Sequence, residues 1–152
     1  MKQVLFICVG NASRSAMAEA FFNALVRGGA IPLRGSPDPG GHGEKVKARA
    51  VSAGTKPAPA VGQKTAEAMA EIGFDISGHR PRLLTPELLQ QADRVIGMGC
   101  GVEETCPVEL GLHLHEDWGL DDTREMGIEA TRSVRDEVRR RVEAMVREMS
   151  LT

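Results

Sequence analysis

The sequence is poor in most of what would announce a partner. It has no strong charge of either sign: 19 lysines and arginines stand against 21 aspartates and glutamates, for a net charge of −2. That excludes the global basic field with which a chain gathers nucleic acid or an anionic membrane. The apolar run Val4–Val9 is too short to cross a bilayer. Lys2 before it and Ala16-Met17-Ala18 after it imitate an export signal, but the polar stretch Gly10–Ser15 interrupts the apolar core that such a signal needs. Cysteines number only three, an odd count that argues against a disulfide framework. Together these features lead us to expect a cytoplasmic chain with thiols available for chemistry. Tyrosine is absent altogether.

What is present reads as one domain. A chain of 152 residues is long enough to bury roughly 70% of its unfolded surface, and it shows no internal repeat and no second domain. Short apolar runs alternate with segments of helical period. Val4–Ile7 is a continuous apolar run, as expected of a strand covered on both faces. Arg49–Ala53, Arg94–Met98 and Leu112–His115 read as further strands. Helices are expected over Ser15–Val26, Val61–Ile72, Pro86–Ala92 and Ile128–Met149, the last with Val134, Val138, Val142, Met145, Val146 and Met149 on one stripe. Residues 28–48, rich in glycine, proline and charge, read as a surface insertion. Strands alternating with helices imply an α/β fold, a parallel sheet with helices on both faces.

Ligands of such sheets bind beyond the carboxyl ends of the strands. Cys8 stands there, at the exit of the first strand, and Val9, Gly10, Asn11, Ala12 and Ser13 lead from it into a helix that opens at Arg14-Ser15. Successive backbone amides in a tight loop form an anion-binding nest, and the helix dipole adds positive potential. Gly10 supplies a positive φ if the turn requires one. The Arg14 guanidinium matches a tetrahedral oxyanion. In this field Cys8 is a candidate thiolate nucleophile, with Ser15 placed to hydrogen-bond it or to cap the helix. The competing reading, a buried core thiol, leaves the strand, the arginine spacing and the helix unexplained.

Cys-x5-Arg-Ser after a first strand, continued by Met17-Ala18-Glu19, resembles the low-molecular-weight tyrosine phosphatase superfamily. Asp75-Ile76-Ser77-Gly78-His79 also looks like a segment of that family, although a lone His79 is more often structural than catalytic. The resemblance spans the chain except residues 28–48. It implies a four-stranded parallel sheet flanked by helices, a three-layer sandwich, and a phosphate-like substrate.

A phosphatase needs one cysteine, whereas Met98-Gly99-Cys100-Gly101-Val102-Glu103-Glu104-Thr105-Cys106-Pro107 carries two more beyond the third strand. Five residues separate them, so a helical turn or a small loop change would bring the sulfurs within bonding range. Three chemistries are open. The thiols are incidental; or Cys100, Cys106, His113 and His115 hold zinc, at a cysteine spacing longer than the usual two to four residues; or they form a redox relay with Cys8. The relay resembles the thioredoxin-coupled arsenate reductases, a branch of the same superfamily. Glu116-Asp117-Trp118-Gly119-Leu120-Asp121-Asp122 looks like their Trp-Gly-x-Asp-Asp-Pro segment, and Ser133-Val134-Arg135-Asp136-Glu137-Val138 like their last helix.

The resemblance to that branch implies that Cys8 attacks arsenate held by Arg14 and the loop amides, and that Asp122 protonates the departing oxygen. It further implies that Cys100 attacks Cys8 to release arsenite, and that Cys106 then attacks Cys100. Thioredoxin or a similar dithiol carrier reduces the resulting Cys100–Cys106 disulfide, and no metal or other cofactor is called for. The alternative is a phosphatase using Cys8, Arg14 and Asp122, with Cys100 and Cys106 guarding Cys8 against over-oxidation. Phosphatases of the superfamily usually place an aromatic residue, often tyrosine, after their Asp-Pro, and this chain has no tyrosine. It departs from the reductases too. Thr123 stands where they usually have proline, residues 28–48 are inserted, and Ser13 occupies a loop position where some relatives carry another cysteine.

Overall fold

The computed structural model describes residues 2–26, 48–98, 116–120 and 127–150. Its elements in chain order are β1 (Lys2–Cys8), α1 (Arg14–Val26), β2 (Ala48–Gly54), α2 (Gln63–Ala70), α3 (Pro86–Gln91), β3 (Arg94–Gly97), β4 (Glu116–Asp117) and α4 (Ile128–Ser150).

Val4, Leu5, Phe6 and Ile7 are all completely buried. Strand alternation explains how a continuous apolar run is accommodated. Val4, Phe6 and Cys8 face one core with α1 and the Val134–Val138–Val142–Met145 stripe of α4, while Leu5 and Ile7 face a smaller core with Leu84, Leu88 and Leu89. Helices therefore cover both faces of the sheet, as the alternation of elements predicts. On the larger face the Phe6 ring lies 5.6 Å from Trp118 and meets Phe22 edge-on at 6.1 Å.

The strand order is β2-β1-β3-β4, every neighbouring pair parallel. β1 has β2 on one side and β3 on the other, so the chain reverses its direction of progress across the sheet there. The carboxyl end of β1 is thus the switch point at which open parallel sheets leave a crevice. Cys8 is the residue at that end.

Among the described residues, three strands of seven, seven and four residues carry the sheet, and β4 adds a two-residue edge pairing with Ile96 and Gly97. The fourth strand expected at Leu112–His115 lies outside the described residues; the pairing observed is at Glu116–Asp117. The insertion expected at 28–48 lies outside them as well, except Ala48, which opens β2 opposite Lys2. α2 is shorter than Val61–Ile72, because Gly62 has an extended backbone and marks the first turn.

Candidate functional site: a cysteine loop at the sheet switch point

Cys8 closes β1 and Arg14 opens α1, so Val9–Ser13 make the whole turn between them. The chain after β2 grips this loop from outside. Thr55 N donates to Cys8 O at 3.3 Å, Lys56 N to Val9 O at 2.8 Å, Ala58 N to Gly10 O at 2.9 Å and Gly62 N to Ala12 O at 3.0 Å. With those carbonyls engaged outward, the Asn11 amide turns inward and donates to Cys8 Sγ at 3.1 Å. Gly54 permits the close approach: a Cβ there would lie 2.6 Å from Val9 O and 3.0 Å from Asn11 N.

Cys8 is 2% exposed, and its sulfur carries a second contact, Ser15 Oγ at 2.9 Å. Asn11 Nδ2 donates to that same Ser15 oxygen at 2.9 Å, which leaves the Ser15 hydroxyl proton available to the sulfur. The Asn11 amide and the Ser15 hydroxyl therefore both meet the buried Sγ. The positive φ of the loop falls on Asn11, at 51°, and not on Gly10. Asparagine tolerates this conformation because its amide bonds locally: besides donating to Ser15, Asn11 accepts from Arg82 N at 2.9 Å. Asn11 O lies 3.0 Å from His79 Nε2. His79 Nδ1 is 3.7 Å from Glu19, whose other oxygen accepts from Ser52 Oγ at 3.1 Å. His79 thus braces the loop from behind.

Arg14 is 3% exposed, and its Nη1 donates to Leu120 O at 2.9 Å and to Met98 O at 3.4 Å. Met98 N donates to Ile7 O at 2.8 Å, and Leu120 N to Met98 O at 2.9 Å. The ends of three chain segments (β1, the exit of β3 and the stretch after β4) are in this way tied together beside the loop. A cavity of about 280 Å³ opens over Cys8, lined by Gly10, Ala12, Ser13 and Arg14 of the loop, by Gly62, Gln63, Lys64 and Thr65 at the start of α2, and by Thr131 of α4.

A family model described as low molecular weight phosphotyrosine protein phosphatase matches residues 3–151. The chain belongs to that family. It is 31% identical to arsenate reductase 2 of Staphylococcus epidermidis over 143 residues, covering 94% of this chain and 95% of the relative. Among solved structures it resembles an arsenate reductase in the phosphate-binding state, with a TM-score of 0.72, 30% identity, and coverage of 98% of this chain and 99% of that one. It also resembles a thioredoxin-dependent arsenate reductase of Corynebacterium glutamicum, with a TM-score of 0.69 and 30% identity, covering 99% of this chain but 63% of that longer one.

In this phosphatase-family loop the structure places Ser15 against Cys8, and Gly10, Ala12 and Ser13 line the cavity with Cys8 and Arg14. Val9 and Asn11 hold the loop instead, through the Val9 carbonyl and the Asn11 side chain. Cys100, Cys106, Asp121, Asp122 and Thr123, and with them His113 and His115 of the zinc reading, lie outside the described residues. The bracing side chain of Asn11, the close approach at Gly54 and the α2 wall were not read from sequence. An asparagine inside a glycine-containing turn was the available signal for the first of these.

Proposed function

We propose that the protein is a cytoplasmic arsenate reductase acting through Cys8, Cys100 and Cys106, a single catalytic domain with residues 28–48 as a surface insertion. The observation that carries this reading is Cys8 Sγ at the floor of a cavity, held by the Asn11 amide and the Ser15 hydroxyl. Its likeness to arsenate reductases over nearly the whole chain adds the substrate.

Cys8 attacks arsenic, and a sulfur–arsenic bond forms as Asp122 protonates the departing oxygen, which leaves as water. Cys100 thiolate then attacks Cys8 Sγ. A disulfide forms, the sulfur–arsenic bond breaks, and its electron pair stays on arsenic, which leaves as arsenite. The two electrons gained by arsenic are those lost by the two thiols. Cys106 attacks Cys100 and frees Cys8. A dithiol carrier of the thioredoxin class reduces the Cys100–Cys106 disulfide. Two features support the geometry of this relay. Met98, two residues before Cys100, is bound to both Ile7 and Arg14, and Leu120, two before Asp122, is bound to Arg14. Among the described residues no helix is long and apolar enough to cross a membrane.

The test is arsenate turnover with a thioredoxin system beside aryl phosphate hydrolysis in the same preparation. Cys100→Ser is expected to abolish arsenate reduction and to spare any hydrolysis, and Asp122→Asn to slow both on the order of 10²-fold. Arsenate reduction that persists in Cys100→Ser rules the relay out and leaves a phosphatase using Cys8, Arg14 and Asp122.

A further inference from the structure

α2 begins against the cysteine loop, and one of its side chains reaches into it. Thr65 is 3% exposed, and its hydroxyl donates to Ser13 Oγ at 2.9 Å. One turn earlier Gly62 N donates to Ala12 O at 3.0 Å, so α2 is fixed to two consecutive loop residues. Ser13 and Thr65 both line the cavity over Cys8.

A hydroxyl that accepts one hydrogen bond and has its own proton unassigned turns that proton toward the best remaining acceptor. For Ser13 the acceptor side is taken by Thr65, and the open space it faces is the cavity in which an oxyanion would lie. An isolated serine hydroxyl rotates among three staggered positions and favours none of them. The Thr65 bond removes that freedom before the anion arrives, and a donor already oriented loses less entropy on binding.

We propose that Thr65 is a positioning residue of the oxyanion pocket, which orients the Ser13 hydroxyl as a neutral donor to the bound tetrahedral anion. The inference rests on the reading of this loop as the substrate site and adds a specificity element from α2, outside the cysteine motif. Ser13 thereby has a use at the loop position where some relatives carry a thiol.

The experiment measures inorganic phosphate binding through its protection of Cys8 from alkylation by iodoacetamide, followed peptide by peptide by mass spectrometry. Thr65→Val keeps the shape and removes the hydroxyl. It is expected to weaken phosphate binding roughly 2- to 3-fold, the cost of returning the three staggered positions to the Ser13 hydroxyl, whereas Thr65→Ser is expected to retain wild-type binding. Ser13→Ala, which removes the donor itself, is expected to weaken binding roughly 3- to 10-fold, and adding Thr65→Val to it to change nothing more, because Thr65 acts only through Ser13. A merely structural Thr65 predicts additive losses in the double variant and an equal fall in thermal midpoint for each step. Additivity, or unchanged binding in Thr65→Val, overturns the proposal, as does a wild-type Cys8 that phosphate fails to protect. Protection with the predicted non-additivity, but without arsenate reduction, leaves this inference standing and removes the reductase reading.

Discussion

Asn11 shows how a single residue sets the reactive geometry. Its backbone supplies the amide on Cys8 Sγ, its side chain orients Ser15, and its φ of 51° is the bend that makes both reachable. A left-handed alanine costs about 1–2 kcal/mol, and the lost amide removes two hydrogen bonds worth about 1 kcal/mol each. Asn11→Ala is therefore expected to lower unfolding free energy by about 2 kcal/mol or more and turnover on the order of 10²-fold, through the displaced loop. Asn11→Gly separates the two effects. Glycine restores the backbone freedom and recovers about half the stability, while turnover stays low because Ser15 has lost its orienting donor. Denaturant unfolding and steady-state rates on both variants check this; an Asn11→Gly variant at full activity would show that the side chain is dispensable. At this scale the residues that frame the loop, Cys8, Arg14 and Ser15, were legible and the bracing ones were not. Cys8, Arg14 and Ser15 carry their chemistry in their types and spacing. The positive φ looks like a task for Gly10, and passes to Asn11 because only the asparagine can tie the bend to Ser15 and to Arg82 N.

Among the elements, α4 was the most legible, since Val134, Val138, Val142, Met145 and Val146 recur at helical spacing and are all buried. Its attachment to α2 was not, because an ion pair between distant segments leaves no periodic trace. Glu71, just past α2, receives Arg132 Nε at 3.0 Å and Arg135 Nη1 at 3.0 Å, and Arg135 also donates to Ala68 O at 2.9 Å. The Arg132 hydrogen bonds chiefly, with the charges of both arginines, hold the Glu71 carboxyl below its usual value against the opposing effect of burial. A carboxylate with a lowered folded value stabilises fully above the ordinary range near 4.3, and that contribution fades as pH falls through the lowered value. Glu71→Gln is accordingly expected to melt below wild type at pH 7, with the gap closing as pH falls below about 4 and shrinking in high salt. A gap that is constant across pH would mean that Glu71 acts by packing alone. Thermal melts over a pH series make the measurement.

For the whole molecule, the sheet order explains why the candidate site gathers at one strand end. β1 is flanked by β2 and β3, so loops from both neighbours converge on Cys8: residues 55–62 after β2 hold the loop's carbonyls, and Met98 after β3 meets Arg14. The alternation of strands and helices made the layers legible, and the single apolar run of β1 showed that both faces are covered. The order of the strands was not legible from the residues, because parallel neighbours share no local turn. That order brings the exit of β3, at Met98, to the edge where Cys8 lies. The measurement that tests the three-cysteine relay most directly is a single turnover of arsenate by reduced Cys106→Ser protein, with arsenite counted and disulfides mapped by peptide mass spectrometry. One arsenite per chain together with a Cys8–Cys100 disulfide is the predicted result; arsenite released without that disulfide, or none released while wild type turns over, contradicts it.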